Sequence, residues 1–134
     1  MRTQYAIALA VVAGFGLGAV AVNSLHAQAK APVYLVTEIN VTNPEAYGKE
    51  YAPLAQASIK AAGGRQIAIG GAGGAGANMV TAVEGDAPKR AVIQVWDSVD
   101  KMKAWRTSAA YLEARKIGDK YATFRSYVID GVPQ

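Results

Sequence analysis

The 134 residues carry a net charge of +4, no cysteine and a single histidine, His26. Because His26 lies in an apolar leader, the remainder has no thiol nucleophile, no Ser-His-Asp triad and no histidine-based metal site. Any acid or base there must be Asp, Glu, Lys or Tyr, and the scattered basic residues lack the concentrated patch that nucleic-acid binding requires.

Residues 1–29 read as a secretory signal peptide: a short basic start at Arg2, an uncharged run from Tyr5 to Val22, and the small-x-small triplet Ala27-Gln28-Ala29. The alternative is an uncleaved membrane anchor, since the run is 18 residues long and a span needs about 17–25. Gly14, Gly16, Gly18 and the many alanines lower its hydrophobicity and favour cleavage. Gly14 and Gly18 form a G-x-x-x-G pair that the leader's composition explains without a dimerisation role. Removal of the leader leaves 105 residues, from Lys30 to Gln134, at a charge of +3. The expectation is a periplasmic or secreted domain with a small core, standing without disulfides and helped by dimerisation.

In residues 30–134 the elements follow in order. After the tether Lys30-Ala31-Pro32, Val33 to Asn40 alternates as a strand, with Val33, Leu35, Thr37 and Ile39 on one face and Tyr34, Val36, Glu38 and Asn40 on the other. Asn43 caps a helix with Pro44 at its first position and Glu45 near the positive end of the dipole. Tyr47, Tyr51, Leu54, Ala55, Ser58, Ile59 and Ala62 recur at helical spacing, Pro53 should kink or divide the helix, and Gly63-Gly64 stops it. The Tyr47/Tyr51 pair at i, i+4 reads first as a packing contact and second as a pocket wall.

Arg65 to Gly70 reads as a second strand, Gly71 to Asn78 as a flexible loop, and Met79 to Glu84 as a third strand. Gly71, Gly73 and Gly76 match the letters of G-x-G-x-x-G, but no helix follows, so the dinucleotide reading fails on context. After the turn Gly85-Asp86-Ala87-Pro88, Lys89 to Asp97 is the clearest strand, alternating Ala91, Ile93 and Val95 against Arg90, Val92, Gln94 and Trp96. Ser98 caps a helix carrying Met102, Trp105 and Arg106; Thr107-Ser108 caps another through Tyr111, Leu112, Arg115 and Ile117 to Gly118. Phe124 to Asp130 closes the fold. The order β-α-β-β-β-α-β predicts an α+β sheet with helices on one face. The helices should cover the apolar face of Leu35, Ile39, Ala91, Ile93 and Val95. Tyr34, Glu38, Arg90, Gln94 and Trp96 would then share the opposite face, which needs another cover. On that face Glu38 and Arg90 are placed to pair across the sheet, as a structural ion pair or as a substrate-polarising one.

Residues 33–131 resemble the "domain of unknown function 1330" family. The residues carrying the resemblance are Val41-Thr42-Asn43-Pro44-Glu45-Ala46-Tyr47, Tyr51, Gly63-Gly64-Arg65, Glu84-Gly85, Lys89-Arg90 and Ser98, together with the W-x-x-S-x-x-Y spacing of Trp105, Ser108 and Tyr111. The resemblance implies a ferredoxin-like fold, two copies packing their sheets into a dimeric α+β barrel, and a pocket between sheet and helices in each subunit. Barrels of this kind include cofactor-free monooxygenases, haem proteins and stress-responsive binding modules, so the fold does not select an activity. A haem role is disfavoured because the usual His and Cys ligands are missing, and no cofactor is expected. This chain departs from the pattern in three places: Ala62 stands where a His is usual, Ile69 where an Arg is usual, and residues 72–77 form a Gly/Ala insertion.

The leading expectation is an exported homodimer binding a small, partly apolar organic molecule. Tyr34, Glu38, Arg90, Gln94, Trp96, Trp105 and Tyr111 would line the site, the aromatics as walls and Glu38 with Arg90 orienting polar groups. A second reading is a cofactor-independent oxygenase or isomerase, with Glu38 as general base and Arg90 stabilising an enolate-like charge. A third is a purely structural dimer. Contact with a membrane is expected only if the leader stays attached.

Overall fold

The computed structural model describes residues 30–74 and 78–134; the leader and Gly76 lie outside the described residues. Strand β1 (Val33–Val41) leads into a continuous helical run: α1 (Pro44–Ala46), a π-helical turn (Tyr47–Tyr51) and α2 (Ala52–Ala61). Strands β2 (Arg65–Gly71) and β3 (Arg90–Trp96), helices α3 (Val99–Arg106) and α4 (Ala109–Gly118), and strand β4 (Ala122–Asp130) follow. The sheet is antiparallel throughout in the order β2-β3-β1-β4, which is the ferredoxin-like βαββαβ arrangement of an α+β domain.

Local chemistry explains the element boundaries. Asn43 Oδ1 accepts the Ala46 N–H at 3.1 Å, Ser98 Oγ the Lys101 N–H at 3.2 Å, and Ser108 Oγ the Tyr111 N–H at 3.3 Å; each cap satisfies a donor that a helix start leaves unpaired. Pro53 has no N–H to return to the preceding turn, and the helix absorbs the loss just before it. The Ala52 N–H reaches back five residues to the Tyr47 carbonyl, widening that turn. The helix is thus adjusted rather than broken, and Tyr47 and Tyr51 both end up buried against the sheet.

Two expectations are corrected. Met79 to Glu84 is not a strand, so the described sheet has four strands rather than five. The run has strand-forming residues but nothing to bury them against: Met79 is 79 % and Val83 99 % exposed. The second correction concerns phase. Val33 pairs with Trp96, Leu35 with Gln94, Thr37 with Val92 and Ile39 with Arg90, and residues directly opposite in an antiparallel pair share a face. Arg90, Val92, Gln94 and Trp96 therefore face the helices, while Ala91, Ile93 and Val95 lie on the open face with Tyr34, Val36 and Glu38. The bulky rings decide the phase. Trp96 is 1 % exposed and stacks on Trp105, a larger single burial than any one of Ala91, Ile93 or Val95 offers, with ring-to-ring contact added to it.

The core between sheet and helices has two clusters. One gathers Val33, Leu35, Ile59, Trp96, Met102, Trp105 and Tyr111; the other gathers Ile39, Val41, Tyr47, Tyr51, Ala55, Val92, Ala114 and Ala122. Gly118 shows how tight the second is, since a Cβ there would lie 2.7 Å from two carbons of the Tyr51 ring. Tyr51 has no room to retreat, being packed edge-on against Tyr47 and Phe124 at 5.0 and 5.5 Å between ring centroids. In an open helix a Gly-to-Ala change is worth about 1 kcal/mol in favour of folding. Gly118→Ala is predicted to do the opposite and destabilise by about 1–3 kcal/mol through overpacking. A urea midpoint at or above that of the unmodified protein would contradict this packing.

Candidate functional site

A cavity of about 280 Å³ opens between the sheet and the helices. Its floor is the helix-facing side of β3 and β1, with Arg90, Val92, Gln94, Thr37 and Ile39. Tyr47 and Tyr51 bound it from the π-helical turn, and Trp105, Arg106, Tyr111 and Arg115 from α3 and α4. The space is partly open to solvent and sets aromatic rings beside buried polar groups, the usual make-up of a small-molecule pocket.

The aromatic wall is held by hydrogen bonds and stacking. Trp105 Nε1 donates to Ser58 Oγ at 3.0 Å, and Ser58 Oγ donates to the Ala55 carbonyl at 2.8 Å, so α2 fixes the indole of α3. Trp105 lies between Trp96 and Tyr111, at centroid distances of 5.3 and 4.2 Å. Trp96 Nε1 donates to Gln94 Oε1 at 3.0 Å; that bond orients the amide and leaves its N–H groups for the cavity. Trp96 thus supports the site from behind without lining it.

Arg90 is 5 % exposed, and its guanidinium stacks over the Tyr47 ring at 5.3 Å. Its Nη1 donates to the carbonyls of Gly71 and Ala72, both at 3.3 Å, while the buried Nε has no partner. The glycines of the β2–β3 loop permit this arrangement. Gly73 has φ +81°, and a Cβ there would come within 2.6 Å of the Tyr47 ring, so the loop lies directly on Tyr47 and Arg90 as only glycine allows. At the other wall, Tyr111 Oη accepts from Arg106 Nη1 at 3.1 Å and from Arg115 Nη1 at 3.0 Å. Arg115 Nε also binds Asp119 Oδ1 at 2.6 Å, and its guanidinium covers Phe124 at 3.8 Å.

Of the residues expected to share a site, Arg90, Gln94, Trp105 and Tyr111 meet at this cavity, and Trp96 buttresses it. Tyr34 and Glu38 do not, because the strand phase puts them on the open face. The expected Glu38–Arg90 pair is therefore absent. Glu38 Oε2 instead lies 3.4 Å from Arg125 Nε, its partner residue across β4, too poorly aligned for a hydrogen bond. Sequence reasoning ranked the pocket reading of Tyr47 and Tyr51 second to packing and did not assign Arg106 or Arg115 to the site. Their spacing carried the signal: Tyr51 follows Tyr47 by four residues, and Arg115 follows Tyr111 by four, so each pair presents one helix face.

The family model described as "Domain of unknown function (DUF1330)" matches residues 32–132, and the chain belongs to that family. Among curated proteins, none matches the sequence. Several solved structures share the fold, three of them as follows. SnoaB, a cofactor-independent oxygenase from Streptomyces nogalater, superposes with a TM-score of 0.55 at 13 % identity, covering 78 % of this chain and 96 % of its own. A dimeric protein of unknown function with a ferredoxin-like fold from Bacteroides fragilis gives 0.54 at 13 % identity, with coverages of 75 % and 96 %. RPA0582 of Rhodopseudomonas palustris, a protein of unknown function, gives 0.51 at 16 % identity, with coverages of 78 % and 85 %. At these identities the likeness establishes the fold and not the chemistry.

The wall has a titration signature. Burial pushes the phenols of Tyr47 and Tyr51 above their ordinary value, Tyr51 strongly, with Arg90 pulling Tyr47 part of the way back. Ultraviolet titration should show these two ionising later than an ordinary exposed phenol, at about 10; the Tyr121 phenol is raised as well, through its hydrogen bond to Glu50. Because the folded values are raised, their contribution to stability is complete below about pH 10 and is lost as pH climbs towards the folded values. Tyr51→Phe should flatten that alkaline loss. All tyrosines titrating together near the ordinary value in the folded protein would contradict a buried wall.

Proposed function

We propose that this member of the family is an exported, homodimeric barrel protein that holds a small, partly apolar organic molecule in the cavity between its sheet and helices. The observation that carries the reading is the cleft of about 280 Å³, bounded by Tyr47, Tyr51, Trp105 and Tyr111 and reaching the buried Arg90 and Gln94. A partly open cleft in which aromatic rings stand beside fixed polar groups is the usual make-up of a small-molecule site. Export is supported by the three-part leader alone.

The dimer is supported by the open face of the sheet. Tyr34, Val36, Ile93 and Val95 stand there only half-buried, beside Tyr127 at 41 % and Ile129 at 52 % exposure. A contiguous apolar sheet face of this kind is normally covered, and a second copy meeting it face to face would do so. The dimeric Bacteroides fragilis protein of the same fold lends weight to that choice. The enzyme reading built on Glu38 draws no support from the geometry, since Glu38 and the cavity lie on opposite faces; its remaining support is the shared fold with an oxygenase. Nothing specific favours a purely structural dimer.

Native mass spectrometry on protein gently purified from its own host tests all three parts of the reading. The expected species is a dimer of chains shortened at the leader, carrying retained small-molecule mass. Ile93→Glu would place an unpaired carboxylate in the sheet-to-sheet contact, where an uncompensated charge costs about 3–5 kcal/mol; dimer dissociation should strengthen by at least about a hundredfold. A monomeric unmodified protein, or an Ile93→Glu variant that dimerises as well as its parent, would contradict the dimer.

A further inference from the structure

The cavity wall is unbalanced in charge. Arg90, Arg106 and Arg115 line it, and no Asp or Glu is found among its described lining residues. Asp119 holds Arg115 from outside the cavity. Arg90 and Arg106 take part in no ion pair among the described residues. Arg90 is offset only by two long carbonyl contacts and the Tyr47 ring, with its buried Nε unpartnered. Arg106 is offset by the Tyr111 hydroxyl and ring, its guanidinium lying 5.2 Å from the centroid. Arg90, held away from bulk water without a counter-charge, is costly, and an anion brought in by a ligand would reduce that cost while pairing the half-buried Arg106.

Tyr111 sharpens the argument. Its oxygen accepts from two guanidiniums at once, at 3.1 and 3.0 Å. A phenol has one hydrogen of its own, and with its acceptor sites taken that hydrogen can only be given away. The Tyr111 oxygen thus ties the two guanidiniums to one part of the wall, where their remaining N–H groups and the phenol hydrogen are available as donors. Guanidinium forks match the flat, two-oxygen geometry of a carboxylate better than any neutral group. Tyr51 and Trp105 line the same cleft and give apolar contact to the rest of such a molecule.

Resting on the reading of this cavity as a ligand site, we infer that its ligand is a small organic carboxylate with a planar apolar body. The carboxylate is held by Arg106, Tyr111 and Arg115, and Arg90 adds a second positive point on the floor. Arg106 and Tyr111 then set specificity by charge, and the aromatic walls accept a range of flat bodies.

Matched pairs of carboxylate and carboxamide on benzene, indole and naphthalene bodies provide the probes, titrated against the tryptophan fluorescence of the leaderless dimer. Each carboxylate is expected to bind at least about tenfold more tightly than its amide, in line with charge-assisted against neutral hydrogen bonds. Arg106→Gln should erase most of that preference, and Arg106→Lys should retain part of it. Thermal melts of both variants check that the fold is intact. Amides that bind as tightly as their carboxylates would overturn the anion assignment while leaving the cavity as a neutral-ligand site. No binding by any member of the panel would remove the ligand-site reading itself, and the inference with it. An unchanged preference in folded Arg106→Gln would also overturn it.

Discussion

The burial of Trp96 fixes the character of the whole helix-facing layer. A strand turns alternate side chains to alternate faces, so once Trp96 is committed to the helices, Gln94 and Arg90 are committed with it. Trp96 is secured on every side: it stacks on Trp105, donates to Gln94, and lies so close to Gly64 that no Cβ would fit there. The apolar area of two indoles outweighs the cost of carrying one amide and one guanidinium inwards. A cation thereby enters the core through strand geometry, and the surrounding elements accommodate it.

That accommodation uses several parts of the chain. The β2–β3 loop places the Gly71 and Ala72 carbonyls on Arg90, and the π-helical turn before Pro53 brings the Tyr47 ring beneath it. Helix α2 steadies Trp105 through Ser58, and α3 and α4 join through the shared Tyr111 hydroxyl. None of these contacts supplies a carboxylate to the cavity. Surface ion pairs such as Lys49–Glu45 and Lys116–Glu113 are exposed and contribute little, so the charges that matter are the three arginines on the cavity wall.

Much of this was legible in the sequence because it depends on local chemistry. The caps at Asn43, Ser98 and Ser108, the strand alternation of β1 and β3, and the disturbance at Pro53 are each decided within a few residues. The phase between β1 and β3 is a long-range property, and alternation alone allows two choices that differ by one residue. Weighing count over size favoured turning Ala91, Ile93 and Val95 inwards, whereas the size of Trp96 chose the other phase. That single inversion separated Glu38 from Arg90 and removed Tyr34 and Glu38 from the cavity. Met79 to Glu84 failed differently: its residues favour strands, but strand propensity needs a surface to pack on, and Val83 is almost wholly exposed. Arg106 and Arg115 stayed hidden because basic residues on amphipathic helices usually face solvent.

The cleft lies on the helix side of the sheet, against the arginine and tyrosine wall, and Tyr34 and Glu38 lie on the other side. A crystal structure of the leaderless protein soaked with 2-naphthoate tests this directly, because it separates the two faces of the sheet. Ligand density is expected between sheet and helices, its carboxylate against Arg106, Tyr111 and Arg115 and its rings against Tyr51 and Trp105. Density beside Tyr34 and Glu38 on the other face, with the cavity empty, would contradict it.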